Sequence, residues 1–188
     1  MRGPDGRGSR GWRGIRGRPI PGPKDLWSPF IKELAVGFAH LCAYTVIHEP
    51  VGTVDHYLSC KRHRDQVYEW SNYRFAGHKV NGKKGELGSE VLDPFEAVDG
   101  WFEILLPSLQ LIVTDAVAPE HRQRAEFTLE RLGLRDEEWV IRQRRAWYEL
   151  YENGKLTLAG LEERAPLIAR AVRKQRAQAP PKRKGHGS

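Results

Sequence analysis

The sequence predicts an α+β fold, on three observations. A β-rich stretch broken by turn residues spans Cys42 to Tyr57, a hairpin pattern spans Trp101 to Thr114, and helical periodicity runs from Pro119 nearly to the end. The first element is a helix: in SPFIKELAVGFAHL, Ser28 stands as N-cap, Pro29 takes the first helical position, and Phe30, Leu34, Phe38 and Leu41 recur at helical spacing. CAYTVIHEPVGTVDHY then reads as two short strands around a turn at Pro50 and Gly52, with Asp55 and His56 on or just after the second. YEWSNYRFAGHKVNGKKG reads as a loop carrying Tyr68, Trp70, Tyr73 and Phe75, which feeds a short helix ending near Gly85. WFEILLPSLQLIVT is a hairpin that turns at Pro107-Ser108. Three helices follow, with Gly133 and Gly154 as stops and Pro166 kinking or splitting the last.

A chain of 188 residues predicts one domain with appended elements. The boundaries expected are an Arg/Gly-rich disordered arm over 1–24, a main domain over 25–115, a helical region packed on it over 116–178, and a basic disordered tail over 179–188. The formal net charge of +7 is unevenly divided: residues 1–24 and the stretch from Arg173 onward each carry +6, which leaves the body between them at −5. A generally basic body is therefore no argument for a nucleic-acid partner, and any positive site in it is local. The repeated Arg-Gly of the arm fits either a phosphate-seeking segment or a solubilising leader. No apolar run approaches the length of a membrane span, so no membrane partner and a cytoplasmic location are expected. Cys42 and Cys60 are too few for a disulfide framework and are expected to be reduced thiols.

The segment GTVDHYLSCKRHRDQVYEWSNYRFAGHKVNGKKGE sets an Asp-His pair, two asparagines and a lysine in one aromatic-flanked run. Asp55-His56, Asn72, Asn81 and Lys84, in that order and with NGKKG at Asn81 to Gly85, resemble the HNH nucleases of the ββα-metal fold. YEWSN before the middle Asn and LDP at Leu92 to Pro94 resemble a bacterial branch of that family. The resemblance covers roughly Leu41 to Arg145 and implies a ββα-metal core with a β-hairpin annex and a C-terminal helical region. It implies a metal-dependent endonuclease acting on DNA, possibly RNA. His56 would be the general base, Asp55 and Asn81 the ligands of one Mg²⁺ or Mn²⁺, and Asn72 the residue that holds a loop or orients His56. Lys84, and less securely Lys83 or Arg74, would contact phosphate. These residue types suit the reaction, because phosphodiester hydrolysis needs an activated water and compensation for charge on the phosphorane and leaving oxygen. An imidazole is partly neutral near pH 7, and a hard cation takes oxygen ligands.

One departure stands out. Relatives in this branch commonly carry CxxC before the first motif and again ahead of the final Asn, together binding structural zinc. Here the two tetrapeptides are Cys42-Ala43-Tyr44-Thr45 and Gly77-His78-Lys79-Val80. One thiol, even with His78, cannot complete a tetrahedral site, so no structural zinc is expected and apolar packing should replace it. Two other readings remain open: a non-catalytic nucleic-acid-binding protein on a degenerate HNH scaffold, and a module that dimerises through the helices Asp136–Asn153 and Leu156–Gln178. If the arms are passive, Arg142, Arg144 and Arg145 are the body's own candidates for holding a duplex. The oligomeric state is not set by the sequence.

Overall fold

The structure, a computed structural model, describes residues 22–178. The expected tail over 179–188 and all but the last three residues of the expected arm over 1–24 lie outside the described residues.

The fold is α+β, with six helices and two small antiparallel sheets among the described residues. A 3-10 turn at Ser28–Phe30 leads into α1 (Ile31–Gly37). Its cap is not the expected Ser28: Asp25 accepts from both the backbone N–H (2.9 Å) and the hydroxyl (2.6 Å) of Ser28, so the carboxylate three residues earlier satisfies the orphan donor. The helix stops at Gly37 rather than Leu41, because Ala39 and His40 take positive φ values (51° and 56°) and turn the chain away.

The first of the two strands expected between Cys42 and Tyr57 is absent as a strand. Residues 41–48 form a knuckle closed by an isolated bridge between Leu41 and His48, with Cys42 N–H donating to Ile47 O and Val46 N–H to Cys42 O. The strand that does form, β1 (Gly52–His56), pairs with β2 (Tyr73–Gly77), a segment the sequence reading left in a loop. The register sets Asp55 opposite Arg74 and His56 opposite Tyr73. Helix α2 (His78–Lys84) follows β2 directly, and Gly85 (φ 54°) ends it where the sequence placed the stop.

The two faces of this small sheet have different neighbours. Side chains alternate along a strand, so Val54 and His56 share a face with Tyr73 and Phe75. That face packs under Leu34 and Ala35 of α1, with Trp27 alongside. Asp55 points the other way, into the main core, where Tyr44, Tyr57, Ala76 and Val80 meet Leu129, Leu132, Leu161 and Ile168.

The hairpin forms as expected, β3 (Phe102–Leu105) pairing with β4 (Gln110–Val113). Helices α3 (Pro119–Leu132), α4 (Glu138–Glu152), α5 (Leu158–Arg164) and α6 (Pro166–Gln178) complete the chain, with Pro166 splitting the last expected helix in two. The aromatic face of α4, Trp139, Trp147, Tyr148 and Tyr151, packs against the chain's own core. None of the described helices is long and apolar enough to cross a membrane.

Candidate functional site

A cleft of about 410 Å³ opens at the end of β1, lined by Pro23, Trp27, Val54, Asp55, His56, Ser59, Cys60, Lys61, Asn81, Gly85 and Glu86. Three of the residues singled out by sequence, Asp55, His56 and Asn81, lie on its wall. Asp55 and His56 face opposite sides of the sheet, and they reach one cleft because it sits at the strand's terminus.

Helix α2 builds the site by gripping the open edge of β1. Tyr57 N–H donates to Asn72 O, so odd-numbered residues of β1 direct their backbone groups toward β2, and the carbonyls of Val54 and His56 face the unpaired edge. Asn81 Nδ2 donates to Val54 O (3.3 Å), and Lys84 Nζ, one turn further along the same helix face, donates to His56 O (2.8 Å). Lys84 Nζ also donates to Asp55 Oδ1 at 2.9 Å, forming an ion pair whose side chains are 0% and 2% exposed. The other carboxylate oxygen of Asp55 accepts from Tyr44 Oη at 2.6 Å. Burial, reinforced by the Asp55 carboxylate, pushes the Tyr44 phenol well above its ordinary range, which keeps it a donor.

Lys84 is thus a correction to the expected phosphate contact. Its ammonium is fully buried beneath β1, held by Asp55 and a carbonyl, and does not line the cleft. The reserve candidates are engaged as well. Arg74 is buried and forms a two-point pair with Asp93 (2.8 and 2.5 Å), its guanidinium lying 3.9 Å over the Phe95 ring. Lys83 pairs with Glu137 at 2.6 Å. Arg144, a candidate for holding a duplex, is 1% exposed and donates to the carbonyls of Leu109, Leu134 and Arg135, and burial alone pulls its pKa down to about 10.

His56 is half-buried, its ring between Trp27 (4.5 Å between centroids, edge to face) and Tyr73 (5.0 Å). Its Nε2 lies 2.9 Å from Val67 O. A carbonyl only accepts, so Nε2 carries the proton and the neutral ring keeps its lone pair on Nδ1. Burial lowers the pKa of His56 below the ordinary imidazole value, against a smaller raising effect of the Val67 bond. Asn72 is 4% exposed and lies off the cleft. Its Oδ1 accepts from Leu58 N–H (2.7 Å) and its Nδ2 donates to Leu58 O (3.1 Å) and Gln66 O (3.0 Å). These three bonds pin both ends of the loop between β1 and β2, and that loop presents Val67 O to His56.

Sequence reasoning missed Tyr44, which anchors Asp55, and Trp27, Ser59, Cys60, Lys61 and Glu86, which complete the cleft. Lys61 and Glu86 form an ion pair at its rim. Trp27 and Tyr44 stand outside the Asp55 to Gly85 run, so no motif spacing points to them.

The two tetrapeptides at the expected zinc positions do come together. Cys42, Thr45, Gly77, His78 and Val80 line one pocket of about 230 Å³, and Gly77 N–H points at Cys42 Sγ (3.4 Å). Among the described residues no three His, Cys, Asp or Glu side chains gather as a metal-binding group, here or at the cleft.

Comparison with family models, with curated proteins and with solved structures finds no match to this chain. The functional reading therefore rests on the chemistry of the cleft and on the motif resemblance.

Proposed function

We propose that the chain is a metal-dependent endonuclease of the HNH type, hydrolysing phosphodiester bonds in nucleic acid, DNA foremost, at the cleft beside His56. The observation that carries the reading is the state of His56. One ring nitrogen is tied to Val67 O, the other holds a lone pair, and partial burial favours the neutral ring. A side chain in that state accepts a proton from a water aligned for attack on phosphorus.

Asp55 and Asn81 are the oxygen-bearing side chains through which a hard cation would be held, but both Asp55 oxygens are already engaged, by Lys84 and by Tyr44, so an ion would have to displace one of them. Asp55 and Asn81 offer oxygens only, and a Mg²⁺-like ion characteristically takes one or two protein ligands and completes its shell with water and substrate phosphate. Bound there, such an ion would neutralise charge building on the phosphate and leaving oxygen. Lys84 already balances the charge of Asp55. The protein alone would accordingly hold such an ion weakly, and a substrate phosphate would add ligands that it lacks. Lys84 acts on the site as a positioning residue: it fixes Asp55 and the His56 backbone to α2. Asn72 positions the loop that sets the His56 tautomer.

Relaxation of supercoiled plasmid in Mg²⁺, Mn²⁺ or chelator tests the proposal, with cleavage expected in the metals, none in chelator, and none from His56→Ala. The Lys84–Asp55 pair also favours a second reading, a nucleic-acid-binding protein on the same scaffold whose carboxylate is already compensated. Binding without metal-dependent cleavage in the same assay selects it.

A further inference from the structure

We infer that the aromatic shelf beside the cleft receives unpaired nucleobases, so that the strand cut here carries unstacked nucleotides instead of lying in continuous duplex. The inference rests on the nuclease reading and names the substrate class for that site.

Tyr68 and Trp70 are 50% and 53% exposed, whereas Tyr73 and Phe75 of the same segment are buried. They are not isolated. Ring contacts run from Trp70 to Tyr73 (5.9 Å), Tyr73 to His56 (5.0 Å), His56 to Trp27 (4.5 Å) and Trp27 to Tyr68 (6.2 Å). The two exposed rings thus flank the general base on either side. The shelf is anchored: Asn72 holds Gln66 and Leu58, the Tyr73 hydroxyl donates to Val67 O (2.9 Å), and the Tyr68 hydroxyl donates to Lys24 O (3.2 Å).

Exposed rings on a fixed loop beside a phosphodiesterase cleft suit π-faces. Bases inside a duplex bury theirs against one another, whereas unpaired bases offer them. Phosphate attraction comes from a second source. Side chains around the shelf nearly balance in charge, Lys24, Lys61, Arg62 and Arg64 against Asp25, Asp65, Glu69 and Glu86. The sequence joining at Gly22, beside the cleft wall at Pro23, contains Arg2, Arg7, Arg10, Arg13, Arg16 and Arg18. An Arg-rich sequence favours any phosphate strand, and the shelf selects one with free bases.

The test is fluorescence anisotropy with the full chain in chelator, so that binding is read without cleavage. The probes are a mixed-sequence oligonucleotide of about 15 nucleotides, as single-stranded DNA and RNA, and the duplex of the same sequence. Single strand is expected to bind at least ~10-fold tighter than duplex, and Tyr68→Ala/Trp70→Ala to weaken single-strand binding ~10-fold or more while leaving duplex binding unchanged. Tyr68→Phe/Trp70→Phe, which keeps both π-faces, should retain single-strand binding. Equal affinity for duplex, or an alanine pair that binds single strand like the wild type, overturns the inference. Because no cleavage is read, failure here leaves the nuclease reading standing, and failure of that reading appears when neither supercoiled plasmid nor a labelled single-stranded oligonucleotide is cut in a metal- and His56-dependent way.

Discussion

Replacing Lys84 with Met removes the cation from the most deeply buried ion pair of the described structure. Asp55, at 2% exposure, would keep only the Tyr44 hydroxyl, and the His56 carbonyl would lose its side-chain donor. Breaking a buried pair by deleting one partner typically costs ~3–5 kcal/mol, because the remaining charge stays desolvated. At ~2–4 °C per kcal/mol for a domain of this size, the midpoint of thermal unfolding should fall by roughly 6–20 °C. Circular dichroism on heating, with urea titration for the free energy, reads the loss. Asp55→Asn in the Lys84→Met background should recover part of it, since the neutral amide has no charge to strand, and the double-mutant cycle should show coupling above ~1 kcal/mol. Mg²⁺ should raise the midpoint of Lys84→Met more than that of the wild type, because the freed carboxylate binds a cation in the native state only. A Lys84→Met loss below ~1 kcal/mol, or single losses that simply add, would refute the argument that this pair fixes β1 to α2.

Further outcomes follow from the same geometry. Asn72→Asp is nearly isosteric but turns a donor to Leu58 O and Gln66 O into a repelling oxygen, so it should lower kcat by an order of magnitude or more through the His56 loop, with metal dependence unchanged; unaltered kcat would detach Asn72 from His56. Arg144→Met takes the guanidinium from the buried carbonyls of Leu109 and Leu134, while Arg135 O keeps Leu111 N–H, and should cost ~2–4 kcal/mol in urea unfolding without changing the salt dependence of nucleic-acid binding; a flattened salt slope would place Arg144 on the nucleic acid after all. Purified protein should hold less than one equivalent of zinc, and Cys42→Ser should cost ~1–2 kcal/mol as a buried hydroxyl beside Gly77 N–H; stoichiometric zinc with unfolding on chelation would show a ligand set that Cys42 and His78 alone do not explain.

Which parts of this structure could be read from the sequence depends on how local their causes are. The helices after Pro119 and the hairpin at Pro107-Ser108 were legible, because periodicity and turn residues are properties of short windows. Strand β2 was not. All five of its residues, Tyr73 to Gly77, are buried, so the alternation that marks a strand is missing, and its partner lies some twenty residues back across a loop. The knuckle at 41–48 misled in the opposite direction, its β-branched residues serving a turn that places Val46 at a φ of 52°. At the site, Asp55, His56 and Asn81 line one cleft. The cations did not keep their expected roles, because a sequence displays charges without their partners. Lys84 meets Asp55 across 29 positions, Arg74 meets Asp93 across 19, and Lys83 meets Glu137 across 54. Each pairing engages a cation that the motif resemblance offered to phosphate.

The central claim is that His56 is the proton acceptor for metal-dependent phosphodiester hydrolysis, and one comparison tests it most directly. Wild type and His56→Ala, matched for thermal midpoint and oligonucleotide affinity, are incubated with supercoiled plasmid and with a labelled single-stranded oligonucleotide in Mg²⁺ and in chelator. A positioned general base contributes ~10²–10⁴-fold, so the account predicts nicking by the wild type in Mg²⁺ only and a loss of at least ~10²-fold in His56→Ala. Cleavage by His56→Ala within about threefold of the wild type, or wild-type cleavage undiminished by chelator, would contradict it.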